Sequence, residues 1–322
     1  MTWLVTGGAG YIGSHVVRAL AEEGMDCVVI DDLSSGHRQF VPDSVPFIQA
    51  SLLDDGVVLE ALQQHGVTGV MHIAGFKYAG VSVQRPLHTY EQNVTAMTML
   101  LAAMAEVDVT RIVFSSSAAV YGTPPSGLVT EASPTSPESP YGESKLIGEW
   151  LLRDQSRATS LAHCSLRYFN VVGSGSPDLY DTSPHNLFPL IFEALMAGRT
   201  PQINGDRYPT PDGTCIRDYV HIEDLATSHV AAAQALDADR RLEPVYNLGS
   251  GEGVSVRQIM DAVARVTGID FTPEVRPARP GDPAQIVATG ELAGRDLNWR
   301  MRHSLDEMVS SAWEARQRAE QR

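Results

Sequence analysis

The stretch TGGAGYIG at residues 6–13 decides the fold. It follows a short apolar run, Trp3-Leu4-Val5, and opens a helical pattern that continues from Tyr11 to about Glu23. Glycines at this spacing permit a tight turn and let the backbone approach a pyrophosphate at the N-terminus of the following helix. Glycine-rich turns occur in any α/β protein, so it is the position between a strand and a helix that favours a dinucleotide site.

An acidic residue after the next apolar run strengthens this prediction. Asp31 follows the predicted strand Cys27–Ile30 and lies 18 positions beyond Gly13. A carboxylate there accepts both ribose hydroxyls of NAD and disfavours the 2′-phosphate of NADP. The sequence therefore predicts NAD as the cofactor, although Arg38 is close enough along the chain to serve a 2′-phosphate. Asp32 is a second candidate for the ribose contact.

Strand and helix signals alternate through the first half of the chain, which predicts an α/β fold with a Rossmann-type doubly wound parallel sheet. A Gly-, Ser-, Pro- and Asp-rich loop at 173–185 follows, and mixed signals then predict a smaller mixed α/β C-terminal substrate domain. We expect an NAD-binding domain at 1–170, which also receives part of 215–245, and a substrate domain at 171–322. The predicted strands are 3–5, 27–30, 47–48, 69–72, 111–114 and 161–167, and the predicted helices are 11–23, 54–64, 86–104, 139–157, 186–197, 223–236, 255–267 and 304–316.

Composition narrows the classes of function. The 24 basic and 39 acidic residues give a net charge of −15, and no Lys/Arg run is present, so a nucleic-acid partner is not expected. No apolar run reaches the ~20 residues of a membrane helix, and no basic leader precedes the first strand. The three cysteines are widely spaced. Together these features predict a cytoplasmic protein without a membrane partner.

A candidate acid–base site comes from three residues in a fixed order. Tyr141 and Lys145 form a Tyr-x-x-x-Lys pair in a predicted helix, so their side chains share one face. An ammonium near a phenol favours the phenolate, which makes Tyr141 a usable general acid/base. Ser117 closes the fifth predicted strand, at the edge where such sheets build their sites. A Tyr-x-x-x-Lys pair alone is common on exposed helices, and a serine at a strand end alone is common in turns. The three residues together, in this order, predict a catalytic site.

These motifs resemble the extended short-chain dehydrogenase/reductases, and within them the sugar-nucleotide 4-epimerases. The resemblance extends to about Trp299. In related dehydratases and decarboxylases an acidic residue follows the catalytic Ser/Thr, whereas Ala118-Ala119 follows Ser117 here, which favours simple epimerisation. The matching segments are TGGAGYIGSH (6–15), AGFKYAGVSVQRP (74–86), FSSSAAVYG (114–122), SPYGESKL (139–146), LRYFNVVG (166–173), HNLFP (185–189), DGTCIRDYVHIEDLA (212–226), YNLGSGEGVSV (246–256) and RPGDPA (279–284).

The resemblance implies NAD-dependent epimerisation at C4 of a UDP-hexose, interconverting UDP-glucose and UDP-galactose through a 4-keto intermediate, without a metal. It also implies a homodimer formed by the helices at 86–104 and 139–157. Ser51 replaces an aspartate that usually contacts adenine. The implied cofactor contacts are Gly7, Gly10, Tyr11, Ile12, Gly13, Asp31, Asp32, Ser51, Leu52, Lys77, Asn93, Tyr141, Lys145 and Tyr168. The implied substrate contacts are Ser117, Tyr141, Asn170, Asn186, Arg217, Arg279, Asp282 and Ile286.

Two alternatives stay open at this point. The chain could act on another UDP-sugar, such as UDP-N-acetylglucosamine or UDP-glucuronate, or it could be a catalytically inactive dinucleotide-sensing regulator. A regulator would be expected to have lost Ser117, Tyr141 or Lys145. The resemblance places Ile286 where relatives control access of N-acetylated sugars, but an isoleucine there could equally pack a strand edge. We expect UDP-glucose and UDP-galactose as the best substrates, with weak activity on UDP-N-acetylglucosamine.

Overall fold

The computed structural model describes residues 1–279 and 282–321. Pro280, Gly281 and Arg322 lie outside the described residues, and with them the Pro-Gly pair of the predicted substrate motif at 279–284. The strands are β1 (Thr2–Thr6), β2 (Asp26–Asp31), β3 (Phe47–Gln49), β4 (Val67–His72), β5 (Arg111–Ser115), β6 (Leu128–Val129), β7 (Ala162–Tyr168), β8 (Asn170–Val172), β9 (Gln202–Asn204), β10 (Ile216–Arg217), β11 (Tyr219–His221), β12 (Val245–Leu248), β13 (Val254–Ser255), β14 (Glu274–Arg276) and β15 (Gln285–Ala288). The helices are α1 (Tyr11–Glu22), α2 (Val57–Gln64), α3 (Ala79–Ser82), α4 (Pro86–Tyr90), α5 (Ala96–Glu106), α6 (Pro140–Ala158), α7 (Leu187–Met196), α8 (Ile222–Asp237), α9 (Val256–Thr267), α10 (Glu291–Leu297) and α11 (Leu305–Glu320).

The centre of the molecule is a seven-stranded sheet in the order β12-β7-β5-β4-β1-β2-β3. Every neighbouring pair in it is parallel. The strand order reverses direction between β1 and β4, and a crevice opens there at the carboxyl ends of the strands. The predicted Rossmann-type fold class is confirmed.

Helices cover both faces of this sheet because successive strand residues point to opposite sides. On β1, Trp3 and Val5 pack with α1 and α8, and Leu4 packs with α2 and α5. The strands are therefore apolar throughout rather than alternating, which is why they were predictable from the sequence. Helix α6 lies on the same side as α5, where its Leu152 joins the core.

The second part of the chain forms smaller sheets around its own core. One has four strands in the order β13-β10-β15-β6, of which β6 comes from the first part of the chain, and two pairs, β11-β8 and β14-β9, stand apart. Apolar side chains of α7, α9 and α11 pack together beside them, including Phe192, Ile259 and Met308. This mixed α/β arrangement agrees with the predicted fold class. Helix α8 and β12 belong in sequence to this part of the chain but pack with the large sheet.

Some element boundaries differ from the prediction for local reasons. The helix predicted from Asp54 begins at Val57, because Asp54 accepts a hydrogen bond from the Ser51 amide and Gly56 has a left-handed φ of 75°. The helix predicted at 86–104 contains a π-helical turn, Glu91–Thr95, between α4 and α5. Strand β12 was not predicted.

Two further observations concern the cysteines and the helices. Cys27, Cys164 and Cys215 are all buried and unpaired. Within residues 1–279 and 282–321, none of the helices combines the length and apolar character needed to cross a membrane.

Candidate active site

A cavity of about 940 Å³ opens at the carboxyl edge of the large sheet. Residues from both parts of the chain line it, which brings together segments that are far apart in the sequence. From the first part come Gly7, Gly10, Tyr11, Ile12, Gly13, Asp31, Asp32, Ser51, Leu52, Lys77, Ser117, Tyr141, Lys145 and Tyr168. From the boundary strand β8 and the second part come Asn170, Asn186, Arg217, Arg279 and Asp282.

The glycine turn is too tight for side chains. A Cβ on Gly13 would lie 2.1 Å from the Gly7 carbonyl oxygen, and one on Gly7 would lie 2.8 Å from Ala74 on the loop after β4. Gly7 also has a φ of 73°, which glycine adopts at little cost. The turn therefore brings bare backbone to the cavity wall, as close binding of a diphosphate requires.

Helix α1 begins without the usual protein partners at its N-terminus. Gly10 caps it with no side-chain hydrogen bond, and no acidic residue lies in the first turn. By contrast, α6, α9 and α11 are capped at their N-termini by Ser139, Ser255 and Ser304, each of which accepts a backbone hydrogen bond. The first N–H groups and the positive end of the α1 dipole are thus left for an anion in the cavity. These features fit the pyrophosphate of a dinucleotide.

Asp31 lies at the rim of this turn and holds it in shape. Its carboxylate accepts hydrogen bonds from the backbone amides of Ala9, at 2.9 Å, and Leu33, at 2.8 Å. Burial raises the pKa of Asp31, and these two hydrogen bonds oppose the rise.

Arg38, the residue that could have served a 2′-phosphate, is not among the described residues that line the cavity. Its guanidinium lies 4.7 Å above the Phe47 ring and donates to the Val41 carbonyl, so the arginine is occupied elsewhere.

We expect Asp31→Ala to weaken NAD binding and to relax discrimination against NADP, because it removes the carboxylate that accepts ribose hydroxyls. It also leaves two backbone N–H groups without an acceptor, which we expect to cost about 1–3 kcal/mol of folding free energy. Isothermal titration of the apoprotein with NAD and NADP measures the first effect. Asp32→Ala is the matched control, since Asp32 is exposed and accepts a hydrogen bond from the nearby Ser34 amide. A larger change in selectivity for Asp32→Ala than for Asp31→Ala would contradict the assignment.

The predicted acid–base residues converge on one part of the cavity. Tyr141 and Lys145 lie one turn apart on α6, and the Lys145 Nζ is 5.9 Å from the centre of the Tyr141 ring. Burial raises the pKa of Tyr141, and a hydrogen bond with Ser117 opposes that rise. Ser117 stands just after β5, where its side chain also accepts from the Ala119 amide at 3.2 Å. The phenol thus has a hydroxyl partner and a nearby cation.

Lys145 is anchored to the sheet. Its Nζ donates to the Ser115 carbonyl at 2.8 Å, and burial lowers its pKa to about 8. The ammonium is therefore still the main form at neutral pH. The Cβ that Gly75 lacks would lie 3.9 Å from Nζ, so the loop after β4 approaches the lysine closely. The charge therefore lies near both the Tyr141 ring and the loop after β4.

A buried ion pair ties together the elements that carry these residues. Glu149 on α6 accepts from Arg167 Nε at 2.8 Å and from Ser116 Oγ at 2.5 Å. Arg167 donates in turn to the Tyr121 hydroxyl at 2.8 Å. Each member of this network is close in sequence to a predicted site residue. Ser116 is next to Ser117, and Arg167 is next to Tyr168. Glu149 lies one helical turn beyond Lys145 on α6. The pair therefore fixes β5, α6 and β7 relative to one another. Sequence analysis did not single it out.

The substrate side of the cavity carries paired polar groups. Arg217 on β10 donates to Asp282 at 3.0 Å, so the two predicted residues meet. Asn170 donates to the Asp218 carbonyl at 3.0 Å. The Asn186 amide donates to Asp181 at 2.7 Å. Asp181 was not predicted. It lines the cavity and orients the Asn186 side chain, which is five positions further along the same loop.

Two predicted site residues are not on the cavity wall. Asn93 is buried and exchanges hydrogen bonds with the Phe76 backbone at 2.6 and 3.0 Å, so it shapes the loop after β4. Ile286 on β15 is buried in a cluster with Phe169 and Val120. It lies inside the four-stranded sheet, between β10 and β6, rather than at an edge. Phe169, which does line the cavity, is the residue through which Ile286 could act.

The carboxylates on the wall are all engaged away from Ser117. Among the described residues that line the cavity they are Asp31, Asp32, Asp181 and Asp282. Asp31 and Asp32 belong to the end of β2, and Asp282 pairs with Arg217. Ala118 and Ala119 begin a short 3-10 helix where the related dehydratases have an acid. Among the described lining residues, no carboxylate therefore takes the place of the dehydratase acid beside Ser117.

Comparison with known proteins agrees with this arrangement. Residues 3–249 match the NAD dependent epimerase/dehydratase family. The chain belongs to this family. It is 40% identical to a UDP-glucose 4-epimerase of Lactobacillus helveticus over 97% of this chain and 96% of that one. It is 41% identical to a UDP-glucose 4-epimerase of Azospirillum brasilense, covering 97% of this chain and 91% of that one.

A solved family member extends the likeness to three dimensions. The UDP-glucose 4-epimerase of Bifidobacterium longum, crystallised with NAD⁺ and UDP, superposes with a TM-score of 0.90 at 35% identity. The match covers 98% of both chains. The epimerase/dehydratase family membership therefore extends over both parts of the chain, including the residues on the substrate side of the cavity.

Proposed function

We propose that this protein is an NAD-dependent UDP-glucose 4-epimerase, which interconverts UDP-glucose and UDP-galactose through a 4-keto intermediate. The observation that carries the proposal is the meeting of Ser117, Tyr141 and Lys145 in a cavity that also contains the glycine turn and Asp31. Relatives that share about 40% of their residues over nearly the whole chain are UDP-glucose 4-epimerases. An inactive sensor would not need to retain all three catalytic groups.

The chain's own residues account for the proton transfers. NAD⁺ supplies a reversible hydride acceptor for C4 when it is bound. Tyr141 removes the proton of the C4 hydroxyl as a phenolate and later returns it. The Ser117 hydroxyl lowers the pKa of Tyr141 and so favours the phenolate. The Lys145 ammonium favours the phenolate electrostatically. Activity should therefore fall as the pH falls through the pKa of Tyr141.

The substrate side fits a ligand held by its remote end. Arg217 and Arg279 provide donors suited to a diphosphate, and Asn170, Asn186 and Asp282 suit uracil and ribose. Binding energy from the UDP portion can hold the substrate while the sugar turns and presents its other face. A sugar gripped equally firmly could not turn, so loose contacts around the hexose are part of the function.

The proposal is tested by purifying the protein without added cofactor. Because the cycle has no net redox change, denatured protein should release stoichiometric NAD(H), and the native protein should epimerise UDP-galactose with no cofactor added. Release of NADP, or no nicotinamide at all, would refute the cofactor assignment. No C4 epimerisation on a panel of UDP-hexoses would refute the activity.

Ile286 tests the range of sugars. We propose UDP-glucose and UDP-galactose as the best substrates, with weak activity on UDP-N-acetylglucosamine. Ile286→Tyr enlarges a residue packed beside Phe169, so we expect it to push this wall inward and remove the weak activity. It should also lower the unfolding free energy by about 1–3 kcal/mol through overpacking. The measurement is kcat/KM for both sugars, with Ile286→Leu as a control of similar volume. Equal loss on both sugars would mean that Ile286 only packs the core.

Exposed apolar side chains bear on the oligomeric state. We propose a homodimer, since Leu87 on α4 and Trp150 on α6 are 83% and 47% exposed on the helices implied in dimerisation. Light scattering of wild type and Trp150→Glu would test it, and a monomeric wild type would refute it.

We propose the division into domains at 1–170, with part of 215–245, and 171–322. The contact of α8 with α1 supports the shared segment. A cytoplasmic location agrees with three unpaired buried thiols.

A further inference from the structure

Asp218 is a fully buried carboxylate at the point where the chain leaves one sheet and enters another. It follows β10, which belongs to the four-stranded sheet, and precedes β11, which pairs with β8. Its neighbours Arg217 and Tyr219 both line the cavity, whereas Asp218 is not among the described lining residues. The proposed mechanism gives this acid no role, although a carboxylate is buried only where its surroundings compensate for the lost water.

Two strands compete for the backbone carbonyl of Asp218. In the parallel pairing of β10 with β15, the Ile216 amide donates to the Ala284 carbonyl at 2.8 Å. A regular ladder in this register would go on to join the Ala288 amide to the Asp218 carbonyl. That carbonyl instead accepts from the Asn170 amide at 3.1 Å, in the pairing of β11 with β8. The switch between sheets therefore takes the carbonyl away from β15.

The side-chain carboxylate replaces the carbonyl on β15. The Ala288 amide donates to Asp218 Oδ2 at 3.1 Å, so a side chain continues the pairing of β10 with β15. The other oxygen, Oδ1, accepts from the Ser250 amide at 2.8 Å in the loop after β12. A Cβ on Gly249 would lie 2.6 Å from Oδ2, so the loop comes this close only with a glycine at that position. Because backbone amides only donate, both oxygens of Asp218 act as acceptors.

The Asp218 carbonyl holds a residue of the substrate side. It accepts a second hydrogen bond, at 3.0 Å, from the side-chain nitrogen Nδ2 of Asn170, which lines the cavity. A carbonyl cannot donate, so the Asn170 amide has to turn its nitrogen toward Asp218, and its oxygen is left as an acceptor for a ligand. A carbonyl oxygen has two lone pairs, and Asn170 occupies both of them. A further donor from β15 would have to displace one of these hydrogen bonds.

We propose that Asp218 is a positioning residue for substrate binding: its carboxylate takes the Ala288 amide, so that its carbonyl can hold the Asn170 side chain at the cavity wall. The inference rests on the proposed function, in which Asn170 contacts the UDP portion of the substrate. Asp218 acts through Asn170 and not on the reacting atoms. The proton-transfer groups lie on other elements, at the end of β5 and on α6. Its effect therefore belongs to substrate affinity and not to turnover.

Two variants test the proposal from different sides. Asp218→Ala removes both acceptors, so the Ala288 amide competes with Asn170 for the carbonyl. Gly249→Ala keeps the carboxylate but places a methyl group against Oδ2, which pushes that oxygen away from Ala288. In both variants we expect the Kd for UDP to rise about tenfold, the size of one lost hydrogen bond, with kcat within about twofold of wild type. Isothermal titration of the NAD-loaded protein with UDP gives the Kd, and steady-state epimerisation of UDP-galactose gives kcat.

Two controls separate positioning from a general loss of structure. Asp224→Ala is the matched control, because Asp224 is also fully buried, accepts from the Arg302 and His303 amides, and lies outside the described cavity wall. It should leave the Kd for UDP unchanged. In an Asn170→Ala background, neither of the two test variants should raise the Kd further, because the residue that they misplace is already absent.

The outcomes that contradict the proposal are distinct. An unchanged Kd in both Asp218→Ala and Gly249→Ala, an equal rise in the Asn170→Ala background, or an equal rise in Asp224→Ala would overturn the positioning role. If one test variant fails to fold, the other decides; if both fail to fold, Asp218 serves folding and the proposal is wrong. UDP titration needs no turnover, so a wild type that binds UDP without epimerising UDP-hexoses would refute the proposed function and leave this inference standing.

Discussion

Tyr141→Phe is expected to lower kcat by a factor of ~10² to 10⁴, the usual contribution of a positioned general acid/base. The variant keeps the ring that packs in the cavity and removes only the hydroxyl that moves the proton. UDP affinity and retention of NAD should therefore stay close to wild type, and the loss should appear in kcat rather than in KM. Steady-state epimerisation of UDP-galactose, together with UDP titration, measures both quantities.

Two further variants are compared with Tyr141→Phe. Ser117→Ala removes a hydrogen-bonding partner rather than the base, so its loss of kcat should be large but smaller than that of Tyr141→Phe. Tyr90→Phe is a matched control, because Tyr90 on α4 donates to Glu143 of α6, the helix that also carries Tyr141, and lies outside the described cavity wall. It should keep nearly full activity. A wild-type rate in Tyr141→Phe would remove Tyr141 as the base.

Glu149→Ala should lower the unfolding free energy by about 3–5 kcal/mol, because it leaves the buried guanidinium of Arg167 without its partner. Both side chains of this pair are 6% exposed, so water cannot replace the lost carboxylate. The pair also links the strand ends and helix that carry Ser117, Tyr141 and Lys145. The loss should therefore extend to kcat even where the variant remains folded. Urea unfolding and turnover, both measured on protein with its cofactor bound, test the two parts.

An exposed ion pair on the same helix is the control. Asp154 bonds Arg153 near the end of α6, where both side chains are about half exposed. Such pairs contribute little to stability, so Asp154→Ala should leave the urea midpoint unchanged. If the two variants lose equal stability, burial is not what makes the Glu149–Arg167 pair important.

Local patterns in the sequence account for most of the large sheet. The apolar runs around Leu4, Val28, Val70 and Ile112 identify strands because both faces of each strand are buried. Strand β12 escaped prediction because the polar residue Asn247 interrupts its short apolar run. The amide oxygen of that asparagine accepts from Tyr121, 126 positions away, and no local pattern reveals such a contact.

The contrast between local patterns and contacts of distant residues also applies to the site. The glycine turn and the Tyr141–Lys145 pair depend on spacing within one segment, and the sequence displays that spacing directly. The contact of Asn170 with Asp218 joins residues 48 positions apart, and the pair of Arg217 with Asp282 joins residues 65 apart. Sequence reasoning found Arg217 and Asp282 only by resemblance. It placed Ile286 at the site, whereas the structure places it one layer behind Phe169, because burial is a property of the whole fold.

Strand β12 has a consequence for how the protein is made. A ribosome releases the chain from its N-terminus, so β7 emerges without an edge partner, and the apolar face of α1 emerges without α8. Val16, Leu20 and Leu166 then stay exposed until residues 222–248 have been synthesised. Unpaired strand edges and apolar surfaces of this kind make nascent chains prone to aggregation. A fragment ending at residue 170 should therefore be insoluble when expressed alone and recoverable when the rest of the chain is co-expressed.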